Sequence, residues 1–76
     1  MTKEEALRLA KIDASKIIHD EKEEHDDCVL FGTYKNEQIG MYDSGDNFVI
    51  GLGIGRKMYR VYKDSGKVEE FKIIVA

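Results

Sequence analysis

His19, Glu23, His25 and Cys28 are the first residues along this chain whose types could do chemistry together. His19 and Glu23 stand four apart, so on a helix both would face one ion. The set is poor as a metal centre. A structural zinc site takes four Cys or His ligands, and the pattern His-Glu-x-x-His does not occur. The surrounding acids lack the alternating Asp/Asn and glycine spacing of a calcium loop. A solvated acidic segment is expected, with no metal and no cofactor. Cys28, the single cysteine, needs a base beside it in space to act as a nucleophile. His25, three residues away in sequence, does not supply that arrangement, and a buried strand cysteine is expected instead.

Two further sets invite a phosphate. The run Gly51-Leu52-Gly53-Ile54-Gly55-Arg56 fails the dinucleotide fingerprint, because its third glycine comes one residue early and no helical pattern follows. It also lacks the Gly-Lys-Ser/Thr ending of a phosphate loop. Arg56, Lys57, Tyr59, Arg60, Tyr62 and Lys63 interleave bases with aromatics, a mixture that can neutralise phosphates while stacking bases. On a strand, however, Tyr59 and Val61 point one way and Met58, Arg60 and Tyr62 the other. One tyrosine row then belongs to the core and the other shields a sheet face. The net charge is −3, without the basic excess of a nucleic-acid binder. No serine-histidine-acid set is present. The chain is expected to be non-enzymatic and not to bind nucleic acid.

The elements that must position these residues are an N-terminal helix and a run of strands. Thr2 and Glu5 form a capping box, and Glu4 and Glu5 suit the positive end of the helix dipole. Ala6, Leu9, Ala10, Ala14, Ile17 and Ile18 recur at three- and four-residue spacing. The spacing predicts a helix over residues 3–23, fraying where Asp20, Glu21, Glu23, Glu24, Asp26 and Asp27 crowd its negative end. From Cys28 the period becomes two. Strands are predicted over 28–35, 38–42, 48–55, 57–63 and 68–75, the 57–63 stretch either separate or continuing the third. Turns are expected at Asn36-Glu37, around Gly45 and at Asp64-Ser65-Gly66-Lys67. In the third strand Phe48, Ile50, Leu52 and Ile54 share one face, and Val49, Gly51, Gly53 and Gly55 the other. Such glycines mark a close approach, a bend or a shallow groove. The fold class is therefore α+β: one amphipathic N-terminal helix on a curled antiparallel β-meander of four strands, within a range of three to five.

The 76 residues allow one domain, 1–76, which buries only about 60% of its unfolded surface. One cysteine excludes an internal disulfide, so self-association is the remaining way to add stability. No apolar run approaches the roughly 20 residues of a membrane span, and the N-terminus lacks the apolar stretch of a signal peptide. No membrane partner and a cytoplasmic location are expected. Charge is uneven: residues 1–27 carry nine acids and five bases, residues 56–76 six bases and three acids. The strands show apolar groups on both faces: Phe71, Ile73 and Val75 form one row, and Val68 and Ile74 add to the other. A single helix covers one face, and an uncovered apolar face marks an interaction site. The expected partner is a protein, foremost a second copy in a homodimer. The candidate interaction residues are Glu23, Glu24, Asp26 and Asp27 on the acidic side and Arg56, Tyr59, Arg60 and Tyr62 on the basic side.

Thr2 to Ala10 (TKEEALRLA) and Tyr59 to Val68 (YRVYKDSGKV) resemble the start and end of PepSY-like domains, over about a third of the chain. The resemblance implies a cystatin-like sheet curled round a helix, and a binding or inhibitory role with no catalytic residues to transfer. The acidic run from Asp20 to Asp27 is also similar in style to small acidic bacterial immunity proteins. That likeness implies a basic partner met by Glu23, Glu24, Asp26 and Asp27.

Overall fold

The computed structural model describes residues 1–24, 26–53 and 57–72. The predicted capping box closes as expected: Thr2 Oγ1 accepts from the Glu5 amide at 3.2 Å, and Glu5 returns to the Thr2 amide. It opens a helix, α1 (Lys3–Leu9), of only 7 residues. The helix predicted over 3–23 therefore stops about four turns early, and a Schellman motif stops it. Lys11 turns left-handed at φ 62°. Its amide donates to the Arg8 carbonyl, and that of Ile12 donates to the Leu7 carbonyl, both at 2.9 Å. Leu7 and Ile12 are both buried, supplying the apolar contact that accompanies this motif. Of the expected stripe, Ala6, Ala10 and Ile17 are buried and Ala14 packs against the core, but Leu9 and Ile18 are exposed, and Leu7 joins the core. Two short 3₁₀ turns follow, each begun by an aspartate: Asp13 accepts from the Ser15 amide, and Asp20 from the Lys22 amide.

The sheet corrects the predicted four-stranded, cystatin-like meander. It has six antiparallel strands in sequential order: β1 (Ile18–His19), β2 (Cys28–Tyr34), β3 (Glu37–Asp43), β4 (Asn47–Leu52), β5 (Lys57–Tyr62) and β6 (Val68–Lys72). Two elements account for the difference: β5 stands as a strand of its own, and β1 is two residues long, without a period of its own to read. The first hairpin turns at Lys35-Asn36, one residue before the expected position. Both residues have positive φ, 49° and 64°, as a type I′ turn requires. The last predicted turn holds: Gly66, at φ 72°, donates to the Tyr62 carbonyl. β4 ends at Leu52, so Gly53 leaves the predicted glycine face. It turns at φ 69° and donates to the Gln38 carbonyl at 2.8 Å. Ile54, Gly55, Arg56 and residues 73–76 lie outside the described residues.

Register sorts the side chains into two faces. The inner face carries Leu30, Met41, Ile50 and Tyr59 in one cross-strand row. Phe48, Val61 and Val68 form a second inner row. α1 and the segment to Ile17 cover this face, and Leu7, Leu30, Ile39, Met41, Ile50 and Val61 are fully buried. Tyr34 Oη accepts from the Asp13 amide at 3.4 Å and ties the inner face to the chain after α1. Gly32 is required where β1 pairs with β2, because a side-chain carbon there would strike the Ile18 carbonyl.

Candidate functional site

The outer face carries one unbroken cross-sheet row: Phe31, Gly40, Gly51, Met58 and Phe71, paired strand to strand from β2 to β6. Two glycines in its middle leave a depression between larger side chains. Over Gly40 the Phe31 and Tyr42 rings lean inward. An added methyl there would sit 3.5 Å from Tyr42 and 3.7 Å from Phe31, so the rings already occupy much of the space a side chain would fill. Over Gly51 the nearest group is the Met58 methyl at 3.9 Å. A shallow hollow of about 150 Å³ remains, lined by Phe31, Gln38, Gly40, Tyr42, Gly51 and Gly53. Beside it runs a second outer row of Tyr42, Val49, Arg60 and Glu69. The Arg60 guanidinium lies 5.1 Å from the Phe71 ring centre, a cation–π distance. Glu69 hydrogen-bonds the Tyr62 phenol and raises its pKa, burial adds to the rise, and Arg60 opposes it. Among the described residues no element covers this face.

The predicted basic-aromatic set is divided by this geometry. Arg60 and Tyr62 stand on the outer face, while Tyr59 pairs with Ile50 on the inner face. Arg56 lies outside the described residues. Tyr34 and Tyr42 likewise take opposite faces of the sheet. The acidic residues are brought together in one loop between β1 and β2. Glu23, Asp26 and Asp27 are exposed, while Glu24 is half-buried, with Oε1 3.6 Å from His19 Nδ1. The loop is pinned at both ends. The Asp20 amide donates to the Phe31 carbonyl, and the Asp43 amide to the Asp27 carbonyl, each at 2.8 Å. Among the described residues no group of three His, Cys, Asp or Glu side chains could hold a metal ion. Cys28 is buried, with its thiol on the Leu30 carbonyl at 3.6 Å.

A feature absent from the sequence reading lies at the end of the inner face that α1 leaves open. Two adjoining hollows of about 430 and 420 Å³ share Tyr34, Lys35, Leu52 and Tyr59. The lining residues come from five separate segments, so no spacing along the chain announces them. No helix among the described residues is long and apolar enough to cross a membrane. No protein-family model, curated protein or solved structure matches the chain.

Proposed function

We propose that the chain is a non-enzymatic interaction module whose outer sheet face docks a second copy of itself. The observation behind this reading is the row Phe31–Gly40–Gly51–Met58–Phe71, apolar from β2 to β6 on a face that no described element covers. A two-fold interface needs a self-complementary surface. Here one face holds both the glycine-floored hollow and the Met58 and Phe71 side chains that can enter its counterpart. It also holds both Arg60 and Glu69, cross-strand neighbours within one copy and of opposite charge, so that each can meet the other across a two-fold axis. A domain of 76 residues gains stability from such burial.

Light scattering at micromolar concentration tests this. The expected mass is that of a dimer, falling to a monomer in Met58→Glu while circular dichroism keeps its strand signal. A wild-type monomer across that range, or a dimer indifferent to Met58→Glu, overturns the reading.

The pinned acidic loop favours a second reading, an inhibitor or immunity protein that presents carboxylates to a basic partner. Opposite charge speeds such association in a salt-dependent way. Replacing Glu23, Glu24, Asp26 and Asp27 by Gln or Asn is then expected to slow binding to a captured basic partner. Unchanged kinetics would remove this reading.

A further inference from the structure

We infer that the cleft at the open end of the inner face is a binding site for a small amphiphilic anion: an apolar, preferably aromatic body with one carboxylate or similar head. The cleft has the size and composition of a ligand pocket, apolar walls with a few polar groups at the mouth. Its walls are Tyr34, Leu52 and Tyr59 from the sheet and Ala10 and Ile12 from the chain leaving α1. Tyr34 is fixed by its bond to the Asp13 amide, so one wall is already in place.

Two lysines indicate the charge of the ligand. Lys11 and Lys35 both line the cleft. Both also hold left-handed backbone, at φ 62° and 49°, in positions where glycine or asparagine is the unstrained choice. Non-glycine residues held in such backbone cluster at active sites and ligand clamps. Two such residues at one mouth, contributed by different turns, point to a shared anion. Lys35 also lies 5.3 Å from the Tyr34 ring centre, which joins the charge to the aromatic wall. The other charged residues at the cleft are Glu37, Lys57 and Glu70, and Lys57 and Glu70 pair at 3.8 Å. Asp13 lies close enough to Lys35 to feel its charge, though its carboxyl is held low mainly by Ser15. The cleft is on the face opposite the proposed dimer surface, so either reading can fail without the other.

Amide chemical-shift mapping tests the site, with 4-phenylbutyrate as probe and the uncharged 4-phenylbutanol as its control. The acid is expected to shift Ala10, Ile12, Lys35, Leu52 and Tyr59 saturably at millimolar concentration, and the alcohol to bind more weakly. In Lys11→Gly/Lys35→Gly the affinity for the acid is expected to fall about three- to tenfold, that for the alcohol to stay, and the melting temperature to rise. That combination separates a ligand role from a structural one, since loss of a merely structural lysine would not lower affinity while stabilising the fold. Absence of saturable shifts, shifts confined to Phe31, Gly51 and Met58, or equal loss for acid and alcohol would each overturn the inference.

Discussion

The two faces of this sheet are built from the same strands, alternate residues of which meet different fates. On the inner face Met41, Ile50 and Val61 are fully buried under α1 and its following segment. On the outer face Phe31, Val49, Met58 and Phe71 remain half-buried and Tyr42 is exposed. Apolar content alone does not separate them. What separates them is that a helix of 7 residues and the segment after it dry one side of a six-stranded sheet, and that Gly40 and Gly51 fall on the other. The inner face is therefore a folding surface, and among the described residues the outer face has nothing packed on it.

The largest expected effect breaks this comparison most directly. Truncating Ile50 to Ala removes packed core atoms and leaves a cavity, a loss of about 2–5 kcal/mol. Truncating Met58 to Ala on the outer face is expected to cost within about 1 kcal/mol for a dilute sample. Denaturant titration of both variants checks the contrast. Equal losses at a concentration below self-association would show that both faces serve folding.

Glycines sharpen it at the next level. At Gly32 an added methyl meets the backbone carbonyl of Ile18, and backbone cannot step aside as a side chain can. Gly32→Ala is expected to destabilise by about 1–3 kcal/mol and to free β1. At Gly51 the same methyl has room, with only the end of Met58 at 3.9 Å. Gly51→Ala is expected to raise stability by about 0.5 kcal/mol through the unfolded chain while partly filling the outer hollow. Calorimetry and light scattering together check the pair. A Gly51→Ala variant that loses stability would mean that the depression is needed for the fold.

These contrasts also show what could be read in advance. The capping box at Thr2 and Glu5 and the strand alternation rest on local chemistry and were legible. The end of α1 was not, because Lys11 occupies a position that glycine usually marks. The turn at Lys35-Asn36 was displaced by one residue for the same reason, since its type I′ geometry carries no glycine. The pairing of Arg60 with Glu69 and the row through Gly40 and Gly51 need the register between strands, which no single strand contains. The division of Tyr59 from Arg60 and Tyr62 was legible from alternation alone. The cleft was not, because Lys11 and Lys35 come to line one hollow only once the sheet has folded. Lys11→Gly is accordingly expected to stabilise the isolated chain by about 0.5–1 kcal/mol, the relief of left-handed strain less the added freedom of glycine. A fall in melting temperature would show that the lysine side chain supports α1.

The smallest effect concerns how the inner face is closed at its other end. Lys63 bonds Asp43 Oδ1 at 2.8 Å, and its ammonium lies 4.6 Å from the Phe48 ring centre. Asp43 thus helps hold a cation over the edge of the core, where among the described residues the opposite end is open at Tyr34 and Leu52. The bond from Lys63, then the Gly45 amide, hold the Asp43 carboxyl below its usual range. A carboxyl lowered in the folded state binds its proton more readily when unfolded. Its stabilisation is therefore complete above the unfolded value, near pH 4, and is lost as the pH falls through the folded value. The group is exposed, so the contribution is small and salt-sensitive. In Asp43→Asn the decline of melting temperature below about pH 4 is expected to be shallower than in the wild type, with Lys63→Met giving the same change. An acid limb unaltered in both would mean that Phe48 is held by its neighbours in the sheet and owes nothing to the ion pair above it.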